Sequence, residues 1–269
     1  MCGRFAVGDM AGSDWVDWLE VEVEQGWPPP DWPSANWNVA PTQPVGFVVE
    51  EAGHRCVMTG RWGLIPHWWK KPLAEFRATT FNARSEEAHG KPMFRDAWKR
   101  HRCLIPALGY YEWTGKKGDK TPWFVTSRRN TPGMWFAGLW ASAKIGESSI
   151  ISCTVLTTGA GEATLHLHPR SPVVLSDEEA QAWLRGTSDP KALMHAIPRH
   201  LTEVWEVDRA VGKVANNGPE LLERVGLGLC FVYTADDYKP KNQFPKAGAL
   251  PVVLIRIQRL KRAVPSQGA

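Results

Sequence analysis

The sequence predicts an α+β fold. Strand-like segments follow one another directly between residues 101 and 159, helical patterns are inserted at intervals, and no regular strand-helix alternation supports a parallel sheet wound by crossovers. At 269 residues and 43% apolar content, the chain is long enough to bury a substantial core. It contains no internal repeat.

Taken in order, residues 13–24 place Trp15, Trp18 and Leu19 at helical spacing behind Ser13, which predicts a short first helix. The stretch "GWPPPDWPSANWNVAPTQP" is too rich in proline for a helix or a central strand and reads as loop. Residues 46–66 read as a hairpin turning near Ala52-Gly53, and 93–101 as a short amphipathic helix. Four strands are then expected in "RCLIPALGYYEW", "TPWFVTS", "MWFAGLWASA" and "SIISCTVLTT", the first two joined by the polar turn "TGKKGDK". The strongest local signal is "SDEEAQAWLRG": Ser176 caps, Glu179 completes a capping box and Gly186 stops the helix. A further helix is expected over 188–196, followed by a strand in "EVWEVDRAVG".

A net charge of +4 is mildly basic, compatible with a phosphate-bearing partner but common in other proteins. Five cysteines without a CxxC pair, and no zinc-type His spacing, give an expectation of no metal and of a reduced, cytoplasmic setting without secretion. No run approaches 18 apolar residues, so no membrane association is expected. Phosphate-binding glycine loops, HExxH and GxSxG are all absent, and no cofactor is expected.

What remains is Cys2 and a set of polar residues within apolar segments. Once Met1 is removed, Cys2 carries an α-amine and a thiol on adjacent carbons. Glu112 in "GYYEWTG" is flanked by aromatic rings, where desolvation raises a carboxyl pKa; the alternative is a Glu alternating out to solvent. Asn82 and Arg84 in "FNARSEE" stand at an expected turn, where Asn also serves turn chemistry. His168 and His166 in "LHLHPRSPVVL" compete, and spacing does not choose between them. Trp62, Trp68 and Trp69 near Lys70 and Lys71 form the aromatic-basic mixture on which single-stranded bases stack, unless those rings fold into the core. The run "RDAWKRHR" reads either as a solvated helix face or as a phosphate track.

In order along the chain, "MCGRFA", "WNVAPTQ", "RWGLIPHWW", "FNARSE", "KPMFRDAWKRHRCLIPALGYYEW", "FAGLW", "TVLTTGA", "LHPRSPVVL" and "NNGPELLE" resemble the SOS-response-associated peptidase (SRAP) family. The resemblance implies one α+β domain over residues 1–225, built on a strongly curved, barrel-like mixed or antiparallel sheet with flanking short helices. Residues 226–269 would be an extension with a strand-like stretch at 251–260 and a basic tail. It further implies a monomer that binds single-stranded DNA and becomes covalently attached to abasic sites through Cys2. Asn82, Glu112 and His168 fall on the family's other active-site positions, and Arg4, Pro41, Trp68, Trp69, Arg84 and Arg170 on or near its DNA-contacting ones. This chain departs from the usual pattern at Trp37, Pro169 and Ser171.

The chemistry that Cys2 offers is independent of that resemblance. An amine attacks the open-chain aldehyde of an abasic sugar, and the neighbouring thiol closes on the resulting imine to give a five-membered thiazolidine. Two other readings use the same residues. One is a thiol peptidase with an amino-terminal nucleophile and His168 as base, and the other is a non-covalent reader of single-stranded or modified DNA.

Overall fold

The computed structural model describes residues 2–9, 31–128, 133–187 and 189–225. The helix expected at 13–24 and the extension at 226–269 lie outside the described residues, as does Met1.

Strand β1 (Phe5–Ala6) is followed by the hairpin β2 (Pro44–Glu51) and β3 (His54–Trp62). Next come β4 (Asn82–Arg84) and two short helices, α1 (Ser85–Ala88) and α2 (Arg95–Arg100). Strands β5 (Arg102–Ala107), β6 (Gly109–Lys116), β7 (Asp119–Ser127), β8 (Met134–Ile145) and β9 (Ser148–Gly159) run in near-unbroken succession. Short strands β10 (Arg170–Pro172) and β11 (Val174–Leu175) precede α3 (Asp177–Arg185), and β12 (Thr202–Glu206) is the last strand among the described residues.

Five of these strands close a mixed barrel in the order β9-β3-β2-β5-β8, with β8 returning to β9. Every pair is antiparallel except β3–β9, which is parallel. Side-chain alternation sorts its two faces: Val45, Phe47 and Val49 of β2 join the interior cluster, whereas Val48 joins an outer cluster with Trp98 of α2 and Trp183 of α3. The interior is built on aromatic edges, with Phe5 4.7 Å from Trp62 and 5.9 Å from Phe136 between ring centroids. A second, antiparallel sheet has the order β1-β6-β7-β12.

The single strand expected in "RCLIPALGYYEW" is two. The chain breaks at Leu108, whose N–H donates to the Ala6 carbonyl at 2.8 Å, and passes from the barrel into the second sheet. Gly109 permits this crossing, since a Cβ there would meet the Val125 carbonyl oxygen at 2.4 Å. The helix expected over 188–196 is likewise corrected: only a 3₁₀ turn forms, at Pro190–Leu193, capped by Asp189. Pro198 and the absence of a strong apolar period leave nothing to extend it. By contrast, α3 carries the expected capping box between Ser176 and Glu179 and ends at Gly186 in the left-handed region. No helix among the described residues is long and apolar enough to cross a membrane.

The β2–β3 hairpin turns at Ala52 and Gly53, whose φ angles are 52° and 85°, with Glu51 paired to His54. Two consecutive positive φ values demand the turn for which Asn-Gly is the favoured pair, and Ala is a poor occupant of the first position. Ala52→Asn is therefore expected to stabilise the protein by about 1 kcal/mol, read as a higher urea midpoint at unchanged slope.

Candidate active site

The amino terminus is woven into the fold. Phe5 and Ala6 pair with Tyr110 and Gly109, and the Tyr111 N–H donates to the Arg4 carbonyl at 2.9 Å. On the other side, Phe5 and Val39 exchange hydrogen bonds of 3.3 and 2.8 Å. Held on both edges, the segment carries Cys2 into a wholly buried position, where its Sγ faces the Arg4 carbonyl at 3.5 Å.

Asn82 opens β4, pairing in parallel with Val155 of β9, and the Trp62 indole donates to the preceding Phe81 carbonyl at 2.8 Å. This anchoring aims the Asn82 amide at Cys2, whose carbonyl it holds at 2.6 Å. Its role is thus in the interior, not in a surface turn; the residue is 9% exposed. Extending the β1–β6 register by two residues puts Gly3 opposite Glu112. Glu112 is 5% exposed, so it does not alternate out to solvent.

Burial pushes the Glu112 carboxyl up to about 6, against the opposing pull of the amino-terminal charge, Lys120 and the Trp113 N–H. The Cys2 thiol is also driven up, first by burial and then by the Glu112 charge, so it is protonated at neutral pH. His168 moves down because of burial, the amino-terminal charge and Arg170. Its Nδ1 lies 3.0 Å from the Arg170 nitrogen and 3.2 Å from the Arg170 carbonyl oxygen, so the backbone of Arg170 holds the ring through that nitrogen. The loop bearing it is closed by the Ala160 N–H donating to the Pro169 carbonyl at 3.0 Å. His166 is exposed on the same loop, with its ring 6.3 Å from Trp123. The two histidines lie on one loop, His166 exposed and His168 partly buried.

The basic and aromatic residues divide. Trp68 is 43% exposed and stands 6.5 Å from Trp69, whose ring packs edge-on to Phe76 at 5.1 Å. Arg84 is exposed and only loosely paired, 3.5 Å from Glu87. Pro41, half-buried, sits in the turn closed by the Gln43 N–H and the Ala40 carbonyl. Arg4 and Arg170 point inward. Arg4 donates to Asn38 Oδ1 at 2.7 Å and the Val211 carbonyl at 2.8 Å, and lies over the Trp113 ring. Arg170 forms a two-bond fork with Glu86, at 2.6 and 2.8 Å, and reaches the Thr157 carbonyl at 2.6 Å. Trp62, counted with the stacking rings, is wholly buried in the barrel.

Residue-by-residue reading missed Asn38, although "WNVAPTQ" contained it. Its amide bridges the carbonyls of Val211, Lys213 and Asn216 while its oxygen holds Arg4. An Asn inside an apolar, turn-bounded motif was the available signal. Among the described residues no group of three His, Cys, Asp or Glu side chains is placed to hold a metal ion.

Comparison with known proteins follows the same outline. The family model for the SOS response associated peptidase (SRAP) matches residues 1–214. The abasic site processing protein YoqW of Bacillus subtilis (strain 168) is 31% identical over 230 residues, covering 83% of this chain and 99% of that protein. The abasic site processing protein YedK of Escherichia coli (strain K12) is also 31% identical over 230 residues, covering 84% and 100%. A solved protein structure from Bordetella bronchiseptica superposes with a TM-score of 0.66 at 26% identity, over 77% of this chain and all of that one.

The Glu112 shift carries a thermodynamic consequence. A carboxyl raised from 4.5 to about 6 binds its proton more tightly in the folded state, so stability falls as pH rises through that window. Glu112→Gln is expected to be more stable than the parent at pH 8, by up to about 2 kcal/mol, and to lose that advantage near pH 5. Urea unfolding at both pH values measures it.

Proposed function

This chain belongs to the SOS response associated peptidase (SRAP) family, and from that premise we propose that it processes abasic sites in DNA by covalent capture through Cys2. Its relatives at about 30% identity are abasic site processing proteins, and abasic-site DNA is the substrate class they support for this chain. The observation that carries the finer reading is the Asn82 amide on the Cys2 carbonyl, 2.6 Å away, which fixes a buried Cys2 beside a carboxyl of pKa about 6.

With Met1 removed, by self-processing or by an aminopeptidase, the Cys2 α-amine becomes the first nucleophile. Free α-amines titrate near 7.7–8.0, so a useful fraction is neutral at physiological pH. The buried thiol is still protonated at that point. The amine nitrogen bonds to the aldehyde carbon, and the carbinolamine loses water to give a Schiff base. The S–H then adds across the C=N bond, sulfur to carbon and proton to nitrogen, closing the thiazolidine. Overall one water is lost. Because Asn82 holds the backbone of Cys2, both nucleophiles meet the same carbon without further ordering.

Glu112, ionised at neutral pH yet easily protonated, relays protons for attack and dehydration. His168, its pKa lowered and its ring held through Nδ1 by the Arg170 backbone, donates from Nε2 to the sugar ring oxygen as the aldehyde opens. Trp68, Trp69, Lys70 and Arg84 supply stacking surfaces and phosphate contacts for a single strand. Arg4 and Arg170 act instead as positioning groups, one bracing the terminal strand and the other the His168 loop. Slow strand cleavage by β-elimination from the Schiff base is an expected side activity. The biological role that fits is shielding of lesions in exposed single strands during the response to DNA damage, by a monomer in the cytoplasm or nucleoid.

The test is incubation of the Met1-free protein with a single-stranded oligonucleotide bearing one abasic site, followed by a denaturing gel and intact mass. The expected product is a heat-stable conjugate weighing the sum of the two less one water; its absence at acid, neutral and alkaline pH overturns the reading. Cys2→Ser should leave only a labile adduct that borohydride traps. Glu112→Gln should slow capture by about 10²-fold and abolish the acid limb of the rate profile near pH 6, with DNA affinity nearly unchanged. Cleavage of a peptide substrate, or unaltered retention of DNA by Cys2→Ala without any conjugate, would favour the peptidase or the non-covalent reader.

A further inference from the structure

A wholly buried hydroxyl shares the cluster that encloses Cys2. Tyr110 lies opposite Phe5 in the β1–β6 pairing and two residues before Glu112, so the two side chains leave the same face of β6. Its ring packs edge-on to Phe136 at 6.2 Å and belongs with Cys2, Phe5 and Trp62 to one continuous set of buried contacts. The hydroxyl makes no hydrogen bond of ordinary geometry among the described residues, the Thr164 hydroxyl being a weak contact to it. Thr164 borders it, with its own hydroxyl turned to the Gly161 carbonyl at 3.3 Å. Asn82 Oδ1, on the group that holds the Cys2 carbonyl, is buried and unpartnered as well.

An unsatisfied buried phenol is costly, and phenylalanine would fill the same space without that cost. The orphaned hydroxyl therefore points to a partner that exists only when the site works. We propose that the Tyr110 hydroxyl is that donor: it hydrogen-bonds to the Cys2 sulfur as the thiol adds to the Schiff base and negative charge develops on it. This deepens, and rests on, the covalent-capture reading above. In the closing step the S–H proton passes to the Glu112 carboxylate, a sulfur lone pair forms the S–C bond, and the C=N pair withdraws to nitrogen, which then takes the proton from Glu112. The Tyr110 O–H bond stays intact throughout. Its environment suits that duty, since burial and the charges of Cys2 and Glu112 push the phenol up and keep it protonated. The same face of β6 thus supplies the proton acceptor and the sulfur's donor.

Tyr110→Phe, Met1-free and compared with the wild-type protein, separates the two steps on an abasic oligonucleotide. Borohydride quenching reports the Schiff base, and heat-stable conjugate without borohydride reports ring closure. Schiff base should form at the wild-type rate, and closure should slow about tenfold or more at every pH. Thermal stability should be unchanged or higher, as expected on removing an unpaired hydroxyl. Closure at the wild-type rate across the pH range overturns the proposal, and so does a lowered melting temperature with normal closure, which would make the hydroxyl structural. Should Tyr110→Phe fail to fold, difluorotyrosine incorporated at position 110 keeps the shape and strengthens the donor. Closure must then be faster than in the wild type, and an unchanged rate overturns the proposal. A wild-type protein that forms no conjugate defeats the covalent-capture reading itself, whereas a normal wild type with an indifferent Tyr110→Phe leaves that reading standing and defeats this one alone.

Discussion

Everything about the site depends on Phe5 being locked into the barrel interior. Its ring sits against Trp62 and Phe136, and its backbone pairs with Tyr110 on one side and Val39 on the other. Chain termini usually fray because they lack such contacts. Here, three residues from Cys2, an aromatic anchor worth about 3–5 kcal/mol on truncation converts the most mobile part of a chain into a fixed structural element. Cys2 inherits its position from that anchor.

The second constraint is the break at Leu108. Because β5 belongs to the barrel and β6 to the second sheet, the chain carries Glu112 around to the edge on which β1 lies. A continuous strand over 102–113 would have left Glu112 in the barrel wall, away from Cys2. The Asn82 side arrives independently, through parallel pairing of β4 with β9. Cys2 is therefore held by two elements from different sheets, and its surroundings combine a desolvated carboxyl with a protonated thiol. Burial disfavours both charged forms, which keeps the thiol protonated and leaves Glu112 as the group that exchanges protons near neutral pH.

The arginines show how tertiary structure redistributes roles within one motif. Arg4, Arg84 and Arg170 are equally basic in sequence, yet Arg84 faces solvent while the other two are engaged by carbonyls and a carboxylate. A two-bond fork such as Arg170–Glu86, backed by the Thr157 carbonyl, fixes a loop more strictly than a singly paired surface charge does. In this protein that loop carries His168.

What the sequence determined by itself was local or chemical. The α+β class followed from successive strand patterns, the β2–β3 turn from Ala52-Gly53, and α3 from its capping box and terminal glycine; each depends on contacts within a few residues. Cys2 was legible because an aminothiol next to Met1 is unusual wherever the chain goes. The candidate set of Asn82, Glu112 and His168 came from an ordered series of motifs, and no spacing within any one of them supplied it. Tertiary structure alone decided that Glu112 points inward, that Trp62 belongs to the core and Trp68 to the surface, that Tyr110 is buried in the cluster around Cys2, and that Asn38 ties Arg4 to the 211–216 segment. Each of those outcomes turns on pairing between segments far apart in the chain, at Gly109, at Asn82 and Val155, and at Arg4 and Val211. Local sequence does not encode such pairings, since burial and electrostatic environment exist only once the sheets have closed.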